Sequence, residues 1–393
     1  MSAIRQILAI TAINLRSIPL RLGTSLVICV GIAGVVGVLT TVLAMATGLK
    51  STLTSAARGD RAIVIRSGSL AEALSTVSRD DLIAIEAAPG IRRTTAGESS
   101  LSPEVLVSVN LPRKTGGELS TLPVRGLTPI ALDVRPEIRL TRGRMFRDGV
   151  FEIVVGQAAH EQFAGLDIGD VASFHGAEWA VVGLFSSGGD VHESEALTDA
   201  TTLMSAARRT VFSAATVVLD SPAAFEAFSE ALKEDPKLNV DPQRETDYYA
   251  GQSEQVAALL EIVATTVGGI MAIGALFGAL NTMYSAVSTR AVEIATLRAI
   301  GFSATPVVVS VLAEAQLLAL IGAMAGGGIA WLLFNGTAFS TGGIMGQVAL
   351  RLHVGLPLIA TGIAWAATIG LLGGLFPAIR AARIPVAQAL RAL

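Results

Sequence analysis

The chain has 393 residues, of which 51% are hydrophobic and only 16% charged, with a mean hydropathy of +0.60 and a formal net charge of −3. That balance excludes an ordinary soluble globular protein, and the small net charge gives no ground for a nucleic-acid partner. Aromatic residues are few, and the single cysteine, Cys29, lies in an apolar run, so an intrachain disulfide and a cysteine metal cluster are both excluded.

In residues 1–21, Ile4, Ile7, Leu8 and Leu15 alternate with Arg5 and Arg16. This is the pattern of an amphipathic helix lying on the inner membrane surface, and Ser17-Ile18-Pro19 breaks it. Residues 22–49 carry no charge and are long enough to form a first transmembrane helix. Ala44-Met45-Ala46 resembles a signal-peptide cleavage site. However, the run is about twice the length of an h-region and follows Arg5, Arg16 and Arg21, so it reads as an uncleaved anchor.

Residues 50–253 mix strand and helix signals and hold 28 acids, 20 bases and all four lysines, a normal solvated surface. Strands are predicted at 61–66, 105–109, 122–124, 152–155, 171–174, 179–184 and 216–219, with His175-Gly176 as a turn. A helix is predicted from Ser78, its N-cap, to a stop at Pro89-Gly90, and a shorter one over 157–165. Ser221-Pro222 opens a further helix to about Lys233, with Ser as cap and Pro at the first position. The βαβ-like ends around a strand-rich middle suggest one subdomain with another inserted in it. His192, Glu193, Glu195 and Asp199, after the Gly188–Asp190 loop, are the one metal-like cluster. They lack the further ligands or nucleophile that a site needs, and read as a solvated acidic loop. No catalytic residue, metal ligand or cofactor-binding residue is assigned.

From about Asp247 the pattern is helical, and Val256, Leu259, Leu260 and Val263 share a helix face. A continuous stalk and second span are predicted over 254–289, then a third span at 303–335, an outer loop at 336–353, a fourth span at 354–379 and a tail at 380–393. Gly274 with Gly278, Gly322 with Gly326, and Gly370 with Gly374 have small-xxx-small spacing, which suits either packing within the chain or a dimer seam. Glu314 is the one acid in a span: either a functional intramembrane group or a carboxyl hydrogen-bonded near the interface.

With four spans, Arg5, Arg16 and Arg21, then Arg290 and Arg298, then Arg380, Arg383 and Arg391 all fall on one side, which the positive-inside rule makes cytoplasmic. Arg351 and His353 fall at the outer headgroups. Residues 290–302 enter and leave the cytoplasm as a short amphipathic helix that Gly301 ends. Ile294 and Leu297 would supply its buried face, and Glu293 and Arg298 rim contacts or an internal pair. Docking into a partner's groove and resting on lipid headgroups are both open on these grounds. The fold class read from the chain is therefore an α-helical membrane protein. It has four transmembrane helices and a large extracytoplasmic mixed α/β domain inserted between the first two.

Asn281, Thr282, Arg290, Glu293, Ile294, Leu297, Arg298, Ala299 and Gly301 follow a pattern that resembles the signature of the MacB/FtsX-like ABC permease family. Glu314 with Leu317-Leu318, Gly322, Gly326 and Gly327 resembles that family's third span. Pro377 to Arg383 with Pro385 and Ala389-Leu390-Arg391 resembles its tail, and Asn14-Leu15-Arg16, Pro19 and Arg21 its entry. Residues 140–184, with Gly143, Gly156 and Gly183, resemble the MacB periplasmic core domain. The chain departs from the family at Thr289, where many members have an acid, and at Ala295, where many have Gly. Its tail lacks an Asp before the proline.

The resemblance implies a non-catalytic permease subunit in a bacterial inner membrane, both termini cytoplasmic, paired with a second permease copy or paralogue. It implies a separate ABC ATPase subunit that binds ATP and Mg, in keeping with the lack of a G-x-x-x-x-G-K-[ST] loop in the sequence. A periplasmic membrane-fusion adaptor and membrane lipid are further expected partners. The implied work is ATP-driven export or extraction of a hydrophobic or lipidated substrate by mechanotransmission. The alternative is activation of an external cell-wall hydrolase without transport, as in the cell-division branch, whose external domain is usually smaller. The coupling residues carried over are Arg290, Glu293, Ile294, Leu297, Arg298 and Gly301.

Overall fold

A computed structural model describes residues 6–7, 10–12, 22–95, 97–343 and 346–383. Apart from helical turns at 6–7 and 10–12, the predicted surface helix of 1–21 lies outside the described residues, with Arg5, Asn14, Arg16, Pro19 and Arg21; so do Pro385, Ala389, Leu390 and Arg391. The chain divides into two compact units. One contains residues 1–47, 257–337 and 352–393; the other contains residues 48–256 and 338–351.

The first element is helix α1 (Leu22–Ser55). The inserted domain follows. Strand β1 (Arg61–Arg66) leads to helix α2 (Arg79–Ala87) and the long strand β2 (Leu101–Pro112). Ser78 caps α2 as predicted: its Oγ accepts from the Asp81 amide, and Asp81 Oδ2 accepts from the Ser78 amide, a reciprocal capping box. Next come β3 (Leu119–Leu127), the turn-length α3 (Ala131–Val134), β4 (Arg139–Gly143), β5 (Glu152–Gly156) and α4 (Gln157–Gln162). β6 (Val171–Phe174) and β7 (Ala177–Ser186) form the predicted hairpin, with both turn residues at positive φ, 49° at His175 and 72° at Gly176. β8 (Ala196–Asp199), α5 (Ala200–Ala206), β9 (Ala214–Val218), α6 (Phe225–Glu234) and β10 (Val240–Arg244) complete the domain.

The strands hydrogen-bond in the order β10-β1-β9-β2-β3-β8-β5-β7-β4. Its first four members are antiparallel neighbours, with α2 crossing from β1 to β2 and α6 from β9 to β10. This is the split βαβ arrangement, and it is the outer subdomain expected from the βαβ-like ends. Ile85 of α2 and Phe228 and Leu232 of α6 pack on Ala62, Val64, Ala215 and Val217 to form its core. The inserted lobe has its own core, from Val105 to Met204, in which Trp179 stacks on Phe174 at 4.8 Å. β2 joins the lobes: Leu101–Glu104 pair with β9, and Val105–Pro112 pair with β3.

Two expectations for this domain are corrected. The segment holding His192, Glu193, Glu195 and Asp199 is not a solvated acidic loop: all four are buried. Glu195 takes a two-pronged contact from Arg125, and Glu193 accepts from the Ser187 and Gly189 amides, so the acids are paid with internal donors instead of water. Ser221 makes no side-chain cap, because Pro222–Ala224 is a 3-10 turn and the α-helix starts only at Phe225.

Helix α7 (Glu245–Thr289) runs unbroken for 45 residues, about 67 Å at the α-helical rise, and includes the residues 254–289 read as stalk and second span. Helix α8 (Ala291–Ala299) and helix α9 (Ala304–Phe334) follow. The predicted outer loop is a hairpin of β11 (Ala338–Gly343) and β12 (Gly346–Arg351), before helix α10 (Leu356–Ala382). Among the described residues, four helices, α1, α7, α9 and α10, are long and apolar enough to cross a membrane. Their shared core contains Ile32 and Val36 of α1, Met283 of α7, Leu318 and Ala319 of α9, and Ile369 of α10. Outward residues such as Ile270, Ile273 and Phe277 are exposed, which lipid tolerates and water does not.

Candidate functional site

The predicted coupling segment folds as the short helix α8, and its residues are fixed to three longer helices. Arg290 follows directly on α7 and is buried. Its Nη1 donates to Oε2 of Glu314, 3.1 Å away on α9, and Glu314 is also buried. The two residues stand 24 positions apart, and the fold brings them into one ion pair. Glu314 belongs to the inward stripe of α9 with Val307, Val311 and Leu318, at helical spacing.

Ile294 and Ala295 are the buried residues of α8. Ile294 packs with Val287 of α7, Val307 and Val311 of α9, and Ala378 and Ala381 of α10. The apolar side expected to enter a partner's groove is thus partly occupied within the chain. Leu297 is half-buried, and Arg298 donates from Nη1 to the carbonyl of Ala382 at 2.8 Å, tying α8 to the last turn of α10. Gly301 closes the segment at φ 103°, a conformation few other residues adopt, and the Phe302 amide donates to the Leu297 carbonyl. Glu293, Thr296, Ala299 and Ile300 remain exposed, Ile300 at 69%. A cleft of about 40 Å³ reaches the Arg290–Glu314 pair between Met283, Ile294 and Val311, with room for water-sized guests only.

The glycine pairs behave differently from one another. A Cβ on Gly326 would lie 2.3 Å from the Ala33 carbonyl oxygen of α1, and one on Gly322 would lie 2.8 Å from that of Cys29. These two residues let α1 and α9 touch backbone to backbone. Gly274 and Gly278 have nothing within 4 Å of a built Cβ. Among the described residues, no group of three or more His, Cys, Asp or Glu is placed to hold a metal ion.

The Arg290–Glu314 pairing and the Arg298 tie were not visible in the sequence, where each residue was singled out alone. A second contact also went unseen, Arg380 of α10 lying 5.6 Å from the ring centre of Tyr284 on α7. The available signal was one arginine and one acid flanked by apolar helix, since buried charge demands a partner.

A membrane helix bundle with a mixed α/β domain inserted after its first helix, and a short helix pinned beneath, defines a class of membrane permease. Residues 22–235 match the MacB-like periplasmic core domain, and residues 265–386 match the FtsX-like permease C-terminal domain. The chain belongs to the MacB/FtsX-like ABC transporter permease family. It is 24% identical over 339 residues to the uncharacterized ABC transporter permease YknZ of Bacillus subtilis, covering 82% of this chain and 80% of that one. Solved structures similar to it include the extracellular domain of YknZ from Gram-positive bacteria, at 14% identity and TM-score 0.36, covering 47% of this chain and 99% of that one. The periplasmic region of MacB from Actinobacillus actinomycetemcomitans is similar at 14% identity and TM-score 0.36, covering 50% and 92%.

Proposed function

We propose that this chain is the permease subunit that couples ATP hydrolysis by a separate ATPase subunit to export or extraction of a hydrophobic or lipidated substrate. The observation that carries the reading is the three-way attachment of α8. Arg290 ties it to α9, Ile294 to the joint core of α7, α9 and α10, and Arg298 to α10. A helix held in this way cannot swing alone; a push on it moves the spans with it. The unbroken α7 then carries that displacement to the inserted domain. Glu293, Thr296 and Ile300 form the face presented to the ATPase, and α8 lies on the cytoplasmic side with both termini. The partner subunit holds ATP and Mg, and a second permease copy completes the assembly. Among the described residues, the apolar runs at 22–49, 262–289, 303–335 and 354–379 carry a single acid, Glu314, already paired, which suits mechanical transmission better than a polar conduit.

The test is made in a Cys29→Ser background, since Cys29 is the only cysteine. A cysteine placed at Thr296 should react with a membrane-impermeant maleimide only from the cytoplasmic side, and Glu293→Lys with Ile300→Asp should release the ATPase from the purified complex. Labelling from outside, or an undiminished complex, refutes the assignment.

A further inference from the structure

The inserted domain contains a buried network of charge that the proposed coupling site does not use. All its members lie within residues 48–256. Glu245 is the first residue of α7 and is fully buried. Its Oε2 accepts from the Arg58 amide at 2.9 Å and from Arg61 Nε at 2.6 Å; its Oε1 accepts from Arg135 Nη1 at 3.1 Å. Arg61 Nη2 in turn donates to the carbonyl of Ala56, just past the end of α1, at 2.7 Å. One carboxylate therefore ties the start of α7 to the turn that leaves α1.

From there the network enters the sheet. Arg135 donates to Glu104 of β2 at 3.1 Å and to Thr216 of β9 at 3.0 Å. Arg125 of β3 joins Glu104 and Glu72, each at 2.6 Å, and grips Glu195 with two nitrogens at 2.7 and 2.8 Å. Glu104 is the last β2 residue on the β9 ladder, and Val105 is the first on the β3 ladder. It marks the line where the two lobes meet. Arg135 Nη1 also lies 3.1 Å from His192 Nε2; since a guanidinium only donates, Nε2 accepts and Nδ1 carries the proton toward Glu195, 3.2 Å away.

Charges this deep add little net stability over an apolar core of the same shape, but they are exacting about geometry, because each loss strands a partner. We infer that this network is the joint that fixes the ends of α1 and α7 to the meeting line of the two lobes, with Glu245 as its positioning residue. A displacement along α7 thereby reaches both lobes together instead of being absorbed by the first turn. The inference deepens the mechanical reading and rests on it for its use in transport; the joint itself can be tested without an ATPase.

The experiment is hydrogen exchange by mass spectrometry on the full chain in nanodiscs, comparing wild type, Glu245→Gln, and Val217→Ala as a control that weakens one lobe's core without touching the network. Glu245→Gln should raise exchange at residues 49–60, 101–107, 122–127 and 245–256 together, by at least about tenfold, as expected for a cooperative unit that has lost one charge. Val217→Ala should leave 49–60 and 122–127 unchanged. If Glu245→Gln yields no folded protein, Arg135→Lys, which keeps the charge and loses the fork, should give the same linked pattern. A rise confined to 245–256, no rise at all, or the same pattern in the control overturns the joint. Those results leave the coupling face untouched, whereas misplaced maleimide labelling would sink the transport reading and leave the joint standing.

Discussion

At the residue scale, the buried Arg290–Glu314 pair is the contact on which the proposed coupling can be tested. A buried ion pair costs most when only one member is removed, since the survivor is left charged in an apolar site. Arg290→Met or Glu314→Leu alone should each destabilise the chain by roughly 3–5 kcal/mol, and the double substitution by much less than their sum. Thermal melts in detergent read this cycle directly; simple additivity would mean that the two side chains act independently. The double variant has a second use. If the pair serves only stability, it should restore ATPase stimulation along with the melting temperature. If the pair pins α8 to α9, stimulation should remain low in a well-folded protein. The sequence marked both residues without joining them, because a contact across 24 positions and a chain reversal leaves no local trace.

At the element scale, the helices explain why some sequence readings carried through and others did not. Strands β1–β3, β5–β7 and β9 and the Ser78 cap of α2 were legible since alternation and cap residues are local signals, whereas β4, β8 and β10, short and rich in polar residues, were missed. The burial of His192 and Glu195 was not legible, since polarity indicates solvent unless their partner arginines, at 135 and 125, are known to converge on the same place, nor was that of Glu193, whose partners are loop amides. The small-xxx-small pairs were ambiguous for a related reason: spacing marks a flat helix face without saying what covers it. Gly322 and Gly326 are covered by α1, while Gly274 and Gly278 are open within the chain. Gly326→Val should therefore prevent folding or lower stability by at least about 1–3 kcal/mol, as overpacking does. Gly274→Val with Gly278→Val should leave the melting temperature of the single chain unchanged. If that open face seats a second permease copy, native mass spectrometry in detergent will show the paired species lost in the Gly274/Gly278 variant; an intact pair excludes this face as the seam.

At the scale of the whole molecule, the inserted domain and the helix bundle should answer differently to acid. Burial raises the carboxyl of Glu104, but Arg135 and Arg125 outweigh it and hold the group well below the usual glutamate range; Glu195 is lowered in the same way by Arg125 after the same cost of burial. Glu152, gripped by Arg144 and Arg147, is lowered to about 2. Asp190 shifts the opposite way, raised by burial, and offsets a part of this. A carboxyl whose folded value lies below its unfolded value stabilises the fold above the unfolded value, and that contribution fades as pH falls toward the folded one. The domain should thus hold its stability from neutrality down to about pH 4–5, the ordinary glutamate range, and lose it progressively toward pH 2. Trp179 is fully buried in the domain, whereas Trp331 and Trp365 lie in α9 and α10, so Trp331→Phe with Trp365→Phe leaves a fluorophore that reports the domain alone. In that background the emission should shift red between pH 4.5 and 2 while helical circular dichroism from the spans persists. Adding Glu104→Gln should flatten the pH dependence at the expense of stability at neutral pH. An unchanged acid profile in that variant would refute Glu104 as a source of the acid response and leave it to the other buried carboxylates.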